Sequence, residues 1–134
     1  MTAPLLDGKQ VLTHFYEAIR RRDLAAARGW LADDMTFIGL FETYPSADAY
    51  LTTFGQLLGI VTGLEVKLLI GEGDDAVIFF ELETTAPAAA RTLDAEWHET
   101  RNGRIVRARS AFDGRPFAAM FASTERRDGR LSAC

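Results

Sequence analysis

The chain has 134 residues, 48% hydrophobic and 25% charged, and its 15 basic and 19 acidic side chains leave a net charge of −4. Residues 1–134 thus have the length and composition of one globular domain, with a core that needs neither disulfide nor metal. Disordered, collagen-like and coiled-coil classes are excluded, no apolar run reaches the ~18 residues of a bilayer span, and a net acidic chain lacks the basic face of a nucleic-acid binder.

The single cysteine, Cys134, has no internal partner, and no Cys/His cluster has zinc-ligand spacing. Met1 to Asp7 contains no basic stretch followed by a long apolar one, so no secretory signal and a cytoplasmic location are expected. No phosphate-binding glycine motif and no internal repeat are found.

In chain order, Asp7 is placed to cap a helix from Gly8 to about Arg22. Val11, Leu12, Phe15, Ala18 and Ile19 recur at the spacing of one buried helical stripe. Asp23 caps a short second helix from Leu24 to Leu31, and Met35 to Phe41 reads as a short strand. Ser46 caps a third helix in which Tyr50, Phe54, Leu57, Leu58 and Val61 keep helical spacing up to Gly63. The period then changes to two. Leu64–Ile70, Ala76–Thr84, Thr92–Arg101 and Arg104–Asp113 are strand candidates, with Gly71 to Asp75 a turn. Asn102-Gly103 predicts a tight hairpin, because a type I′ turn needs positive φ at both central residues. The tail from Ser123 is polar and reads as frayed. Helices first and strands afterwards predict an α+β architecture with helices on one face of an antiparallel sheet.

Phe15-Tyr16-Glu17-Ala18-Ile19, Arg22-Asp23-Leu24, Leu31 to Asp34, and Asn102 to Arg107 leading into Phe112-Asp113 follow one another in a recognisable order from Gly8 to Phe121. That order resembles the nuclear transport factor 2-like superfamily, in its SnoaL-like and ketosteroid-isomerase-like branch. The resemblance implies a cone: a curved antiparallel sheet wrapped around the long N-terminal helix, with two further helices and a pocket inside. It also implies a homodimer formed through the outer sheet face, where Phe79 interrupts the charged parity of Glu81 and Glu83.

A two-residue loop at Asn102-Gly103 sets a register in which His98 faces Arg107, Trp97 faces Ala108 and Glu96 faces Arg109. On that register Leu93, Ala95, Trp97, Val106, Ala108, Ser110 and Phe112 turn toward the helices, with Glu99 opposite Val106 at the end, while Asp94, Glu96, His98, Arg107 and Arg109 turn outward; the shared parity of Glu81 and Glu83 turns Ile78, Phe80 and Leu82 inward. The expected wall for a small apolar molecule is Phe15, Phe37, Gly39, Phe41, Phe54, Phe80, Trp97, Ser110 and Phe112, with Tyr16 within reach. A β-bulge would reverse the faces beyond it. His98, Glu96, Asp94, Arg109 and Asp113 then become the catalytic candidates, His98, Glu96 and Asp113 foremost, since a histidine beside a carboxylate can act as a general base.

The resemblance to ketosteroid isomerases can be carried over position by position. Their carboxylate base falls on Gly39 and their helix-one tyrosine on Phe15, next to Tyr16. Their protonated acid falls on Trp97 by the hairpin register, or on Glu96 by an ungapped reading from the strand start. Two function classes stay open: a cofactor-free acid/base enzyme (isomerase, cyclase, dehydratase or hydrolase), and a non-catalytic ligand-binding or dimerisation module of the same fold. No cofactor and no metal are expected.

Overall fold

A computed structural model describes residues 6–118. The expectations for Phe121, for the tail from Ser123 and for Cys134 lie outside the described residues. Helix α1 spans Gly8–Arg20, α2 Leu24–Arg28 and α3 Ala47–Leu58. Each begins at the cap the sequence supplies. The Asp7 carboxylate accepts from the Gln10 amide at 2.9 Å while the Gln10 side chain accepts from the Asp7 amide, a reciprocal capping box. Asp23 accepts from the Ala26 amide at 3.0 Å and Ser46 from the Ala49 amide at 3.1 Å.

Six strands form one sheet: β1 Leu31–Ile38, β2 Thr43–Tyr44, β3 Val61–Glu72, β4 Asp75–Thr84, β5 Ala90–Arg101 and β6 Arg104–Phe112. Their order is β2-β1-β6-β5-β4-β3. All neighbours run antiparallel except β1 and β6, which are parallel. The sheet is curved and unclosed, and register shifts in β1/β6, β3/β4 and β5/β6 bend it. The architecture is the expected α+β cone. The strands are longer than their periodicity suggested: β1 starts at Leu31 and β3 runs on to Glu72 through part of the expected turn.

The core lies between the concave face and the helices. Helix α1 buries Val11, Leu12, Phe15, Tyr16, Ala18 and Ile19, and α3 buries Tyr50, Leu51, Phe54 and Leu58. The sheet meets them with Met35 and Phe37 of β1, Ile78, Phe80 and Leu82 of β4, and Ile105 and Ala108 of β6. Among the described residues no helix is long and apolar enough to cross a membrane.

One detail decides the inner surface. Asn102 and Gly103 have φ of 54° and 76°, and Arg101 pairs with Arg104, as the turn requires. Thr100 then pairs with Ile105, but Glu99 pairs with Arg107, so Val106 is an extra residue: a β-bulge. Beyond it His98 faces Ala108, Trp97 faces Arg109 and Glu96 faces Ser110. The expected orientation of β5 is therefore reversed. Thr92, Asp94, Glu96, His98 and Thr100 point inward and are buried, while Leu93 and Trp97 point outward, 52% and 43% exposed. The faces expected for β4 and for Ala108, Ser110 and Phe112 on β6 are found, but Val106, expected opposite Glu99, is the bulged residue, and Glu99 pairs with Arg107 instead.

Candidate functional site

Between α3, the β1–β2 connection and the concave face lies a pocket of about 420 Å³. Its walls are apolar and aromatic. Phe37 stacks on Tyr50 with ring centroids 4.5 Å apart, Tyr50 tilts against Phe54 at 5.5 Å, and Phe112 meets Phe41 and Phe117 edge to face. Gly39 sits in the wall with no room for a side chain, because a Cβ there would lie 3.1 Å from both the Phe37 ring and the Glu42 carbonyl. Leu40 and Phe41 are exposed beside it.

The floor is polar. Asp94 and Glu96, alternate residues of β5, both line the pocket and are 6% and 2% exposed. The Ser110 hydroxyl donates to Asp94 Oδ1 at 2.9 Å from the neighbouring strand. Beneath the floor, Glu96 Oε1 accepts from the Tyr16 hydroxyl of α1 and lies 2.9 Å from Nε2 of His98. His98 is 1% exposed and its Nδ1 has no protein partner, so the geometry puts the ring proton on Nε2, facing the carboxylate. Tyr16 and His98 share Oε1 of Glu96. The Tyr50 hydroxyl is buried at the same wall without a protein partner.

Burial and the adjacent Glu96 charge push the Asp94 carboxyl up to about 9, against the opposing Ser110 bond. Two carboxyls removed from water at this separation cannot both ionise, so Asp94 holds a proton at neutral pH. Burial, then the Glu96 charge, raises the hydroxyls of Tyr16 and Tyr50 well above the usual phenol value. A carboxylic acid able to donate thus stands beside a carboxylate able to accept, at the bottom of an apolar cavity. Among the described residues, no group of three His, Cys, Asp or Glu side chains is arranged to hold a metal ion.

The model of the SnoaL-like domain matches residues 12–108, which span most of this architecture and the whole floor of the pocket except Ser110. The chain belongs to the SnoaL-like domain family. No curated protein matches it. A solved structure from Kribbella flavida has a TM-score of 0.77 at 24% identity, covering 91% of this chain and 98% of that one. An NTF2-like protein of unknown function from Cytophaga hutchinsonii follows at 0.74 and 17%, covering 88% and 99%. A putative polyketide cyclase from Sinorhizobium meliloti gives 0.69 and 16%, covering 76% and 94%. At these identities the likeness is one of fold.

In this SnoaL-like chain the expected residues divide into three groups. Phe37, Gly39, Phe41, Phe54, Ser110 and Phe112 line the pocket together with Glu96. Phe15, Tyr16 and Phe80 are fully buried in the core instead, and Tyr16 reaches the site only through its bond to Glu96. His98 likewise lies behind Glu96. Trp97 and Asp113 are outside. Trp97 sits under the Arg109 guanidinium at 4.0 Å and donates from Nε1 to Asp75 at 3.0 Å. Asp113 is exposed and bound to Arg115, whose hydrogen bonds hold its carboxyl down at about 2; it is a solvated turn residue. Asp94, a candidate only if a bulge turns β5 inward, is on the inner face, and Tyr50, expected only at a helical spacing in α3, lines the pocket with a buried hydroxyl. Both belong to the floor and wall. Their signal was the alternation Thr92, Asp94, Glu96, His98, Thr100, a polar set that a one-residue insertion turns inward.

Proposed function

We propose that this SnoaL-like protein is a cofactor-free acid/base enzyme of the isomerase or cyclase type acting on a small hydrophobic carbonyl compound. The observation that carries the reading is the buried pair of Asp94 and Glu96 on the floor of an aromatic pocket, where burial and the neighbouring charge push the Asp94 carboxyl up. Glu96 takes a proton from the carbon next to the substrate carbonyl, and Asp94 gives its proton to the carbonyl oxygen. The resulting enol either accepts a proton at another carbon, completing an isomerisation, or attacks a second carbonyl, closing a ring. Tyr16 and His98 position the base by holding its Oε1. Each positioned acid or base is worth ~10²–10⁴ in rate, and the burial of Asp94 and Glu96 strengthens both. The fold shared with a putative polyketide cyclase is in keeping with the ring-closing variant.

The test is hydrogen–deuterium exchange into a panel of compact enolisable ketones in D₂O, followed by NMR. Exchange above the buffer rate is expected for the native protein, with loss of at least ~100-fold in Glu96→Gln and in Asp94→Asn. Ketones that bind without exchanging would favour the non-catalytic reading. Gly39, standing where ketosteroid isomerases carry their base, is the observation on that side.

A further inference from the structure

The charges around the pocket do not balance. Among the described residues its lining carries three acidic side chains, exposed Glu42 and buried Asp94 and Glu96, and no Lys, Arg or His. Tyr16 donates to Glu96 and keeps its proton, and Nε2 of His98 lies 2.9 Å from the same carboxyl oxygen. The basic side chains of β6 face away: Arg107 is exposed, and Arg109 covers Trp97 and bonds Glu99 on the outer surface at 3.2 Å. The Asp94–Glu96 pair is therefore buried beneath aromatic rings with no Lys or Arg beside it among the described residues, an arrangement that is costly unless something compensates. The Tyr50 hydroxyl, buried and without a protein partner, stands at the same place with free lone pairs. Phe37, Tyr50, Phe54 and Phe112 offer ring surface around it.

We propose that the pocket takes a small hydrophobic amine, held as its ammonium ion between Glu96, the Tyr50 oxygen and the aromatic wall. A carboxylate, an unfilled hydroxyl acceptor and ring faces are the three partners an ammonium group uses, and the rings gain most from it where water is displaced. The proposal deepens the functional reading by naming the charge class of the ligand. It rests on the pocket being the ligand site and not on Glu96 acting as a base. An arriving ammonium also favours ionisation of Asp94, whose proton then leaves to solvent. Binding releases protons near neutral pH, and affinity rises with pH until the amine itself deprotonates. The other groups facing Asp94 are Glu96 on its own strand, Ser110 from β6, and Tyr16 and Tyr50 from the two helices.

Calorimetry on the full chain with 2-phenylethylamine, 2-phenylethanol and phenylacetate tests this, because the three differ mainly in charge and fit the same space. The amine should bind at least about tenfold more tightly than the alcohol, phenylacetate should give no binding, and the heat of amine binding should vary with buffer ionisation enthalpy. In Glu96→Gln the preference for amine over alcohol should vanish. Should that variant misfold, the buffer-dependent proton release of the native protein still decides. Equal binding of amine and alcohol, binding of phenylacetate, or no binding of any of the three at millimolar concentration overturns the proposal. Ketone exchange without amine preference sinks this inference and spares the proposed chemistry. Amine preference without exchange does the reverse.

Discussion

Asp94 and Trp97 stand three positions apart on β5 and meet opposite surroundings. For Asp94 the consequence is a pH dependence of stability whose sign can be worked out. Its folded-state value of about 9 lies far above the ordinary 3.8. Between those two values the folded chain keeps a proton that the unfolded chain gives up, so stability falls as pH rises across that window and the contribution is complete only below it. Denaturant midpoints measured from pH 5 to pH 9 should decline for the native protein. In Asp94→Asn that decline should largely disappear; an unchanged slope would remove Asp94 from the account. Trp97, by contrast, is 43% exposed and held by Arg109 and Asp75. Trp97→Ala should cost only about 1 kcal/mol, the range of an exposed cation–π contact. His98→Ala removes a buried ring and a donor to a buried carboxylate, and should cost ~2–4 kcal/mol. Thermal melts of the two variants side by side check the order.

Legibility at the level of elements depended on whether the signal was local. The three helix caps, the Asn102-Gly103 turn and the inward parity of Ile78, Phe80 and Leu82 were readable because each is written within a few residues. The orientation of β5 was not. Val106 is a β-branched residue that suits a regular strand as well as a bulge, and the connection from β4 to β5 is too long to fix register. The apolar set Leu93, Ala95 and Trp97 therefore seemed the natural inner face, and the polar floor of the pocket was hidden in plain alternation. Gly71 is a second case. It reads as part of a turn, yet it belongs to β3, where a Cβ would come 2.6 Å from the Lys9 Cβ at the start of α1. Gly71→Ala should push the helix off the strand and destabilise by ~1–3 kcal/mol, as overpacking does. A variant as stable as the native protein by urea unfolding would show that α1 has slack there.

For the whole molecule, the reversal of β5 enlarges an apolar outer surface. Ile70, Val77 and Trp97 lie in one cross-strand row, and Leu68, Phe79 and Ala95 in the next. Leu68 and Ile70 are about half exposed, like Leu93. The family resemblance implies a homodimer through this sheet, and a contiguous apolar patch is the surface such a partner would cover. Sedimentation at tens of micromolar should give the dimer, with Leu68→Glu and Ile70→Glu together shifting it to monomer. A native protein that sediments as a monomer at that concentration counts against it.

The parallel pairing of β1 with β6 carries a consequence for time as well as shape. Leu31 meets Ile105 and Phe37 meets Ala108, so the strand that opens the sheet must wait for the one that closes it. Hairpins such as β5–β6 can form within microseconds, whereas a contact across most of the chain must first meet the entropy of closing that loop. Refolding in ~milliseconds to seconds is the pace of such topologies. Until the β1–β6 ladder closes, the wall that Phe37 and Gly39 contribute has no floor beside it. A ribosome would therefore have to release nearly the whole protein before any pocket could exist.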